Sequence, residues 1–362
     1  MQRRTFLQSS LAATACALSS SRLAWSASDT ETLRSAGAAR KLLVGSAVST
    51  RELREPLFSK LIAEQCSIVV AENAMKWGIA HPDADRYDFS QPDLLVHFAE
   101  EKGLRVRGHN LCWHNQQPPW FDNFATSISA ERLLQEHIHA VAGRYAGRIH
   151  SWDVVNEAIL VEDGREDGLR TSNWFRLLGH DYIAIAFRTA AETDGKALLT
   201  YNDYDLEGDT PYHAKRRAAT LGLLRWMRDT HVPIHALGVQ SHLRAHATGT
   251  PRWEPFHEFL NQVAQLDLQV FVTEFDINDK ELPADIPTRD ERVAALGKDY
   301  LENVLQHPLL KAVLTWGLSD RDTWLTFAEK RNDGLPQRPL PFDVNLKPAP
   351  LFHAMLEAFD AH

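Results

Sequence analysis

Two apolar runs in this chain finish on carboxylates. "HSWDVVNEAI" (150–159) passes through Trp152, Val154 and Val155 and ends on Asn156 and Glu157, and "VFVTEFDI" (270–277) carries Glu274 and Asp276. One acid at a strand end is ordinary, because strands often run out into solvent. Two glutamates on different strands suit glycoside hydrolysis: one carboxyl protonates the leaving oxygen, while the other attacks the anomeric carbon or activates water. Asn156 offers an amide to a sugar hydroxyl beside Glu157. His242, at the end of "GVQSH" (238–242), is a candidate partner for Glu274, with Asp276 holding its imidazole. That arrangement orients a carboxylate and keeps it ionised.

The elements that must position these groups recur regularly. Eight strand-like runs, at 42–48, 67–73, 105–113, 149–157, 198–204, 235–242, 270–277 and 312–320, alternate with helical patterns. Ser90 is placed to cap a helix that Gly103 closes, and Leu134, Ile138, Val141 and Tyr145 form an apolar stripe ending at Gly147. The alternation predicts the α/β class, a single (β/α)8 TIM barrel over 28–362 with no second domain. Seven of the eight runs finish polar after an apolar stretch: Glu72-Asn73, His109-Asn110, Asn156-Glu157, Asn202-Asp203, Gln240-His242, Glu274-Asp276 and Trp316 through Asp320. In a barrel these ends meet at one face, so groups scattered along the chain become one cluster. Cys66 would open its strand at the bottom and Cys112 would close the next at the top, which excludes a disulfide.

Other chemistries fit the cluster poorly. His109, His114, His242, Glu72 and Glu274 are possible metal ligands, but no H-E-x-x-H or paired-cysteine spacing accompanies them. There is no G-x-S-x-G elbow and no glycine-rich phosphate cradle, so neither metal nor cofactor is expected. Trp77, Trp113, Trp120, Trp316 and Trp324 fall at or beyond strand ends, where rings stack on sugar faces. Trp316 and Trp324 read as exposed platforms, Trp152 and Trp226 as core. The loop from Asp320 to Asp343 is expected to cover one end of a groove.

The chain has 362 residues and a formal net charge of −9. Its start, "MQRRTFLQSSLAATACALSSSRLAWSASD", reads as a cleaved export signal over residues 1–27, with "RRTFLQ" like a twin-arginine signal. Losing Arg3, Arg4 and Arg22 takes the charge from −9 to −12, a surface that disfavours nucleic acid and anionic membranes. The expected product is a monomer of the periplasm or medium, with no membrane contact after signal removal.

The ordered motifs "AENAMKW" (71–77), "RGHNLCWHNQQPPW" (107–120), "WDVVNEA" (152–158), "NDY" (202–204), "GVQSH" (238–242), "VTEFDI" (272–277) and "TWGLSDRDTW" (315–324) resemble those of the family 10 glycoside hydrolases, mostly endo-β-1,4-xylanases. The resemblance implies a retaining mechanism on xylan or xylo-oligosaccharides, with Glu157 as general acid/base and Glu274 as nucleophile. It further implies that Asn156 binds the sugar 2-hydroxyl and that Glu72, Asn73, Lys76, His109, Trp113 and Gln116 line the non-reducing-end subsites. Gln240 and His242 match the surroundings of the nucleophile, Trp316 and Trp324 lids over the sugar, and Tyr204 an aromatic of the leaving-group side. Asn110, Cys112 and Phe275 depart from common family residues without removing a catalytic group. A β-1,4-glucanase on the same barrel, and a silent sugar-binding protein, are the competing readings. Binding alone needs neither glutamate.

Overall fold

The computed structural model describes residues 31–246 and 251–361; the export signal expected over 1–27 lies outside the described residues. Nine strands follow in order: β1 (Leu43–Val48), β2 (Ile68–Ala71), β3 (Arg105–Cys112), β4 (Ser151–Asn156), β5 (Leu198–Asp203), β6 (Ala236–Val239), β7 (His242–Arg244), β8 (Gln269–Asn278) and β9 (Leu310–Thr315). All pair in parallel. The order β6-β5-β4-β3-β2-β1-β9-β8 closes through β6 against β8, so eight strands form the barrel. Helices fill the connections, and the result is the single (β/α)8 barrel read from the alternation. Among the described residues, no helix is long and apolar enough to cross a membrane.

The run expected as one strand over 235–242 divides in two. Its chain breaks at Gln240 and Ser241, the latter in the left-handed region at φ 62°, and resumes as β7, which pairs His242 with Asp276 on β8. The break turns His242 toward β8 instead of continuing along β6.

The barrel strands are buried on both faces, as parallel strands under helices must be. Inside, Ala47, Ile68, Val70, Ala236, Phe271, Ala312 and Leu314 pack together. Outside, the stripe Leu134, Ile138, Val141 and Tyr145 is fully buried along the helix Ala130–Arg144 and its C-cap. Trp152 is also fully buried, and its ring lies against Gly108, where an added Cβ would meet Cε3 at 2.0 Å. Only a residue without a side chain lets β3 and the indole approach this closely.

Two local expectations change and two hold. Ser90 is the first residue of the helix Ser90–Lys102 and not its cap; the Asp88 carboxylate accepts the Ser90 N–H instead, at 2.9 Å. Gly103 does close this helix, at φ 65°. Trp226 is only half-buried, on the outer helix Pro211–Asp229, with His180 edge-on at 3.8 Å between ring centroids. Cys66 and Cys112 are free and buried, and burial pushes the Cys66 thiol up to about 12.

Candidate active site

A cleft of about 420 Å³ opens at the C-terminal ends of the strands. It brings together Glu72, Asn73, Lys76, His109, Trp113, Gln116, Asn156, Glu157, Tyr204, Gln240, His242, Glu274, Trp316 and Trp324. Asp276 is fully buried behind them. Asn115, Asp205 and Arg244 also line the cleft; Asn115 lies within the 107–120 motif without having been assigned a role, and Asp205 and Arg244 lie just beyond the motifs at 202–204 and 238–242.

Glu157 follows the last residue of β4 and sits in the left-handed region at φ 57°, a conformation that costs a non-glycine residue about 1 kcal/mol or more. Neighbouring strands hold it there. Its N–H donates to the Asn202 carbonyl at 2.9 Å, and its carbonyl accepts from Arg170 Nε at 2.9 Å. On the carboxylate, Oε2 accepts from Trp113 Nε1 at 2.9 Å, and Oε1 accepts from Gln240 Nε2 and Asn156 Nδ2, each at 3.2 Å. Burial raises its pKa, and the negative charges of Asp203 and Glu274 add to the rise against the Trp113 and Gln240 hydrogen bonds. His114 Nε2 lies 4.0 Å from Oε2, and burial lowers the pKa of that imidazole to about 4. At neutral pH it therefore adds no positive charge beside Glu157.

Glu274 meets the opposite balance. Oε2 accepts from His242 Nε2 at 3.3 Å and Oε1 from Asn202 Nδ2 at 2.7 Å. Burial works to raise its pKa, but the His242 hydrogen bond, the nearby His109 and His242 rings and the Asn202 amide outweigh it, leaving the carboxyl below its ordinary value. His242 Nδ1 also donates to Asp276 Oδ1 at 2.9 Å. With a carboxylate on each nitrogen both must be donors, so the ring is an imidazolium; burial disfavours that charge, yet Asp276 and Glu274 hold its pKa well above the usual value. Trp324 Nε1 fixes the other Asp276 oxygen at 2.7 Å.

Asn202 is the contact that sequence reasoning missed as a site residue. Its Nδ2 donates both to Glu274 and, at 2.8 Å, to Asn156 Oδ1, while its Oδ1 accepts from Thr273 Oγ1 at 2.7 Å. A chain of amides thus joins the two carboxylates: Glu157, Gln240, Asn156, Asn202, Glu274. The available signal was the "NDY" stretch at the end of β5, whose first residue points into the barrel mouth beside Asn156.

Two buried ion clusters brace these strands from behind. Arg107 and His109 on β3 share Asp153 on β4, with His109 Nδ1 at 2.9 Å from Oδ2. Arg216 donates to Asp203 on β5 at 2.6 Å. On the other side of the cleft, Lys76 Nζ donates to Asn73 Oδ1 at 3.0 Å and lies over the Trp113 ring at 5.1 Å. Burial lowers the Lys76 pKa, opposed by Glu274, Glu72 and Glu157, and burial raises that of Glu72.

The tryptophans divide differently from the expectation. Trp77 is buried, with Nε1 donating to the Leu111 carbonyl at 2.7 Å and its ring stacked on His137 at 3.7 Å. Trp120 packs beside it and donates to the His81 carbonyl at 3.1 Å. Both belong to the packing under the loops and not to the cleft. Trp316 does line the cleft but is only 8% exposed, so it is a wall and not an exposed platform; Trp324 is half-buried.

The cleft continues at both ends. One recess, about 490 Å³, shares Glu72, Asn73 and Trp324 with it; another, about 470 Å³, shares Asp205, His242 and Arg244. The 320–343 loop, expected to cover one end, forms a wall of the first recess through Asp322, Trp324, Phe327 and Ala328. Among the described residues, no group of three or more His, Cys, Asp or Glu side chains is arranged to hold a metal ion.

The family model described as glycosyl hydrolase family 10 matches residues 32–358. Endo-1,4-beta-xylanase B of Paenibacillus barcinonensis is 36% identical over 337 residues, covering 88% of this chain and 96% of that protein. A beta-1,4-xylanase of Dictyoglomus thermophilum is 36% identical over 317 residues, covering 85% and 86%. Among solved structures, native xylanase 10B from Thermotoga maritima superposes with a TM-score of 0.82 at 29% identity, covering 91% of this chain and 98% of that one. The barrel, the paired carboxylates and the full-length match agree: the chain belongs to glycosyl hydrolase family 10.

Proposed function

We propose that this family 10 enzyme is a retaining endo-1,4-β-xylanase, with Glu157 as acid/base and Glu274 as nucleophile. The observation that carries the assignment is the opposite electrostatic treatment of two carboxyls in one cleft. Glu157 is held toward its protonated form and Glu274 toward its anion, the separation of roles that acid and nucleophile require. The named relatives supply the substrate class.

In the first step Glu274 attacks the anomeric carbon as Glu157 gives its proton to the departing glycosidic oxygen. The resulting ester removes the negative charge of Glu274, one of the influences that raised the Glu157 pKa. Glu157 then becomes the better base, takes a proton from water, and that water cleaves the ester with net retention. Asn156, fixed by Asn202 and Gln240, meets the sugar 2-hydroxyl. Glu72, Asn73, Lys76, His109, Trp113 and Gln116 hold the glycone, Gln240 and His242 surround the nucleophile, Trp316 and Trp324 wall the sugar, and Tyr204 faces the leaving group. A cleft continued by a recess at each end supports cleavage within a chain. The "RRTFLQ" start supports twin-arginine export to the periplasm or medium, where a monomer would meet polymer.

Trapping tests the nucleophile. A 2-deoxy-2-fluoro-β-xylobioside with a dinitrophenyl leaving group should inactivate the enzyme and leave one glycosyl ester, on the peptide carrying Glu274. An adduct on another residue, or turnover by direct inversion, would overturn the assignment.

A further inference from the structure

We infer that the recess at the Glu72 end of the cleft is a subsite for a third glycone sugar, with Phe327 as its stacking platform and Arg51 as its polar contact. The inference rests on the glycone orientation proposed above. Phe327 belongs to the short helix Leu325–Ala328 in the 320–343 loop and is 77% exposed. It is a large aromatic facing solvent from the wall of a recess that is continuous with the catalytic cleft through Glu72, Asn73 and Trp324. The rest of its loop is not loosely held. Trp324 is bonded to Asp276, Gln337 Nε2 donates to the Leu325 carbonyl at 3.3 Å, and Arg331 Nη2 donates to the Leu282 carbonyl at 2.8 Å. An exposed ring on a fixed support is a preorganised surface for the apolar C–H face of a pyranose.

Arg51 supplies the polar side. Its guanidinium pairs with Asp322, a carboxylate that also accepts from Arg321 Nε at 3.0 Å, while Arg321 is gripped in turn by Glu55 at 2.9 and 2.8 Å. This chain orients Arg51 yet leaves its side chain 75% exposed. One carboxylate cannot occupy all five N–H donors of a guanidinium, so donors remain for sugar hydroxyls. The occupant is a neutral pentopyranose, the next unit of the same xylan chain. Carboxylates already adjoin Arg51, and Glu72 stands at the junction with the cleft, which disfavours an acidic group there.

Aryl β-xylobioside and aryl β-xylotrioside with the same phenol isolate this subsite, because release of the phenol reports only sugars on the glycone side. In the unaltered enzyme the ratio of kcat/KM for trioside over bioside should be roughly tenfold, the effect expected from covering one aromatic face. Phe327→Ala should bring that ratio close to one, Phe327→Trp should restore it, and Arg51→Ala should lower it in part. Ile128→Ala, which removes another exposed apolar side chain (94% exposed) outside the cleft and its recesses, should leave it unchanged. A ratio near one in the unaltered enzyme, or a ratio untouched by Phe327→Ala, overturns the inference. Failure to release phenol from either glycoside would instead count against the proposed function.

Discussion

Replacing Glu157 with Ala separates the acid and base roles proposed for it. The substitution removes the acceptor of three N–H groups, Trp113 Nε1 at 2.9 Å and the Gln240 and Asn156 amides at 3.2 Å. Those donors then converge on the space of the lost carboxylate, a setting that suits a small anion. Without a proton donor, a sugar leaving group should depart 10²–10⁴ times more slowly, about 3–5 kcal/mol of barrier. A dinitrophenolate leaves without help, so kcat/KM for a dinitrophenyl xylobioside should change little. Its kcat should still fall, because deglycosylation lacks the base. Azide, drawn to the three donors, should restore kcat with that substrate and yield a β-xylobiosyl azide. The assay compares xylohexaose with the dinitrophenyl glycoside, with and without azide, and identifies the azide product by NMR. Equal losses of kcat/KM on both substrates, or an α-azide, would refute the reasoning.

Four further outcomes follow from the same structure. The pH profile of kcat/KM should be bell-shaped, limited by Glu274 on the acidic side and Glu157 on the alkaline side. His242→Asn removes the cation and hydrogen bond that do most to hold the Glu274 pKa down, leaving only His109 and the Asn202 amide against burial, so the acidic limb should move to higher pH in the measured profile. Asp279→Ala strips the buried carboxylate from Arg289 and Arg331 and should cost about 3–5 kcal/mol in chemical denaturation, with the 320–343 loop losing one of its anchors. Gly108→Ala forces a methyl against the Trp152 ring, at 2.0 Å before any shift, and should destabilise by about 1–3 kcal/mol in the same assay.

The parts of this molecule that could be read from sequence were those whose pattern is one-dimensional. Parallel barrel strands must be apolar through the core and polar at one end, and that rule placed Glu157 and Glu274 in one cleft before any coordinates. The same rule found His242 and Asp276, because the turn to β7 happens within residues already counted as polar. What failed depended on which side of a βα loop a residue faces. Trp77 and Trp113 both follow strand ends, yet Trp77 turns under its loop onto His137 while Trp113 reaches Glu157. Trp316 is drawn into the wall against the interior cluster and loses the exposure expected of it. Asn202 was placed in the cluster but given no role, for another reason. Its importance lies in two simultaneous donations to partners 46 and 72 residues away, a relation that no local spacing encodes. Arg244 at the end of β7 and Asp205 just beyond β5 gain a place in the cleft in the same way, from short segments whose sequence carries no periodicity.

Substrate and stereochemical course can be read in one measurement. The protein is incubated with xylohexaose and, separately, with cellohexaose, and the anomeric protons of the first products are followed by NMR before mutarotation. Xylohexaose should be cleaved rapidly within the chain, with initial appearance of the β-anomer. Initial α-anomer would contradict the double displacement through Glu274, and preferential cleavage of cellohexaose would contradict the xylanase assignment.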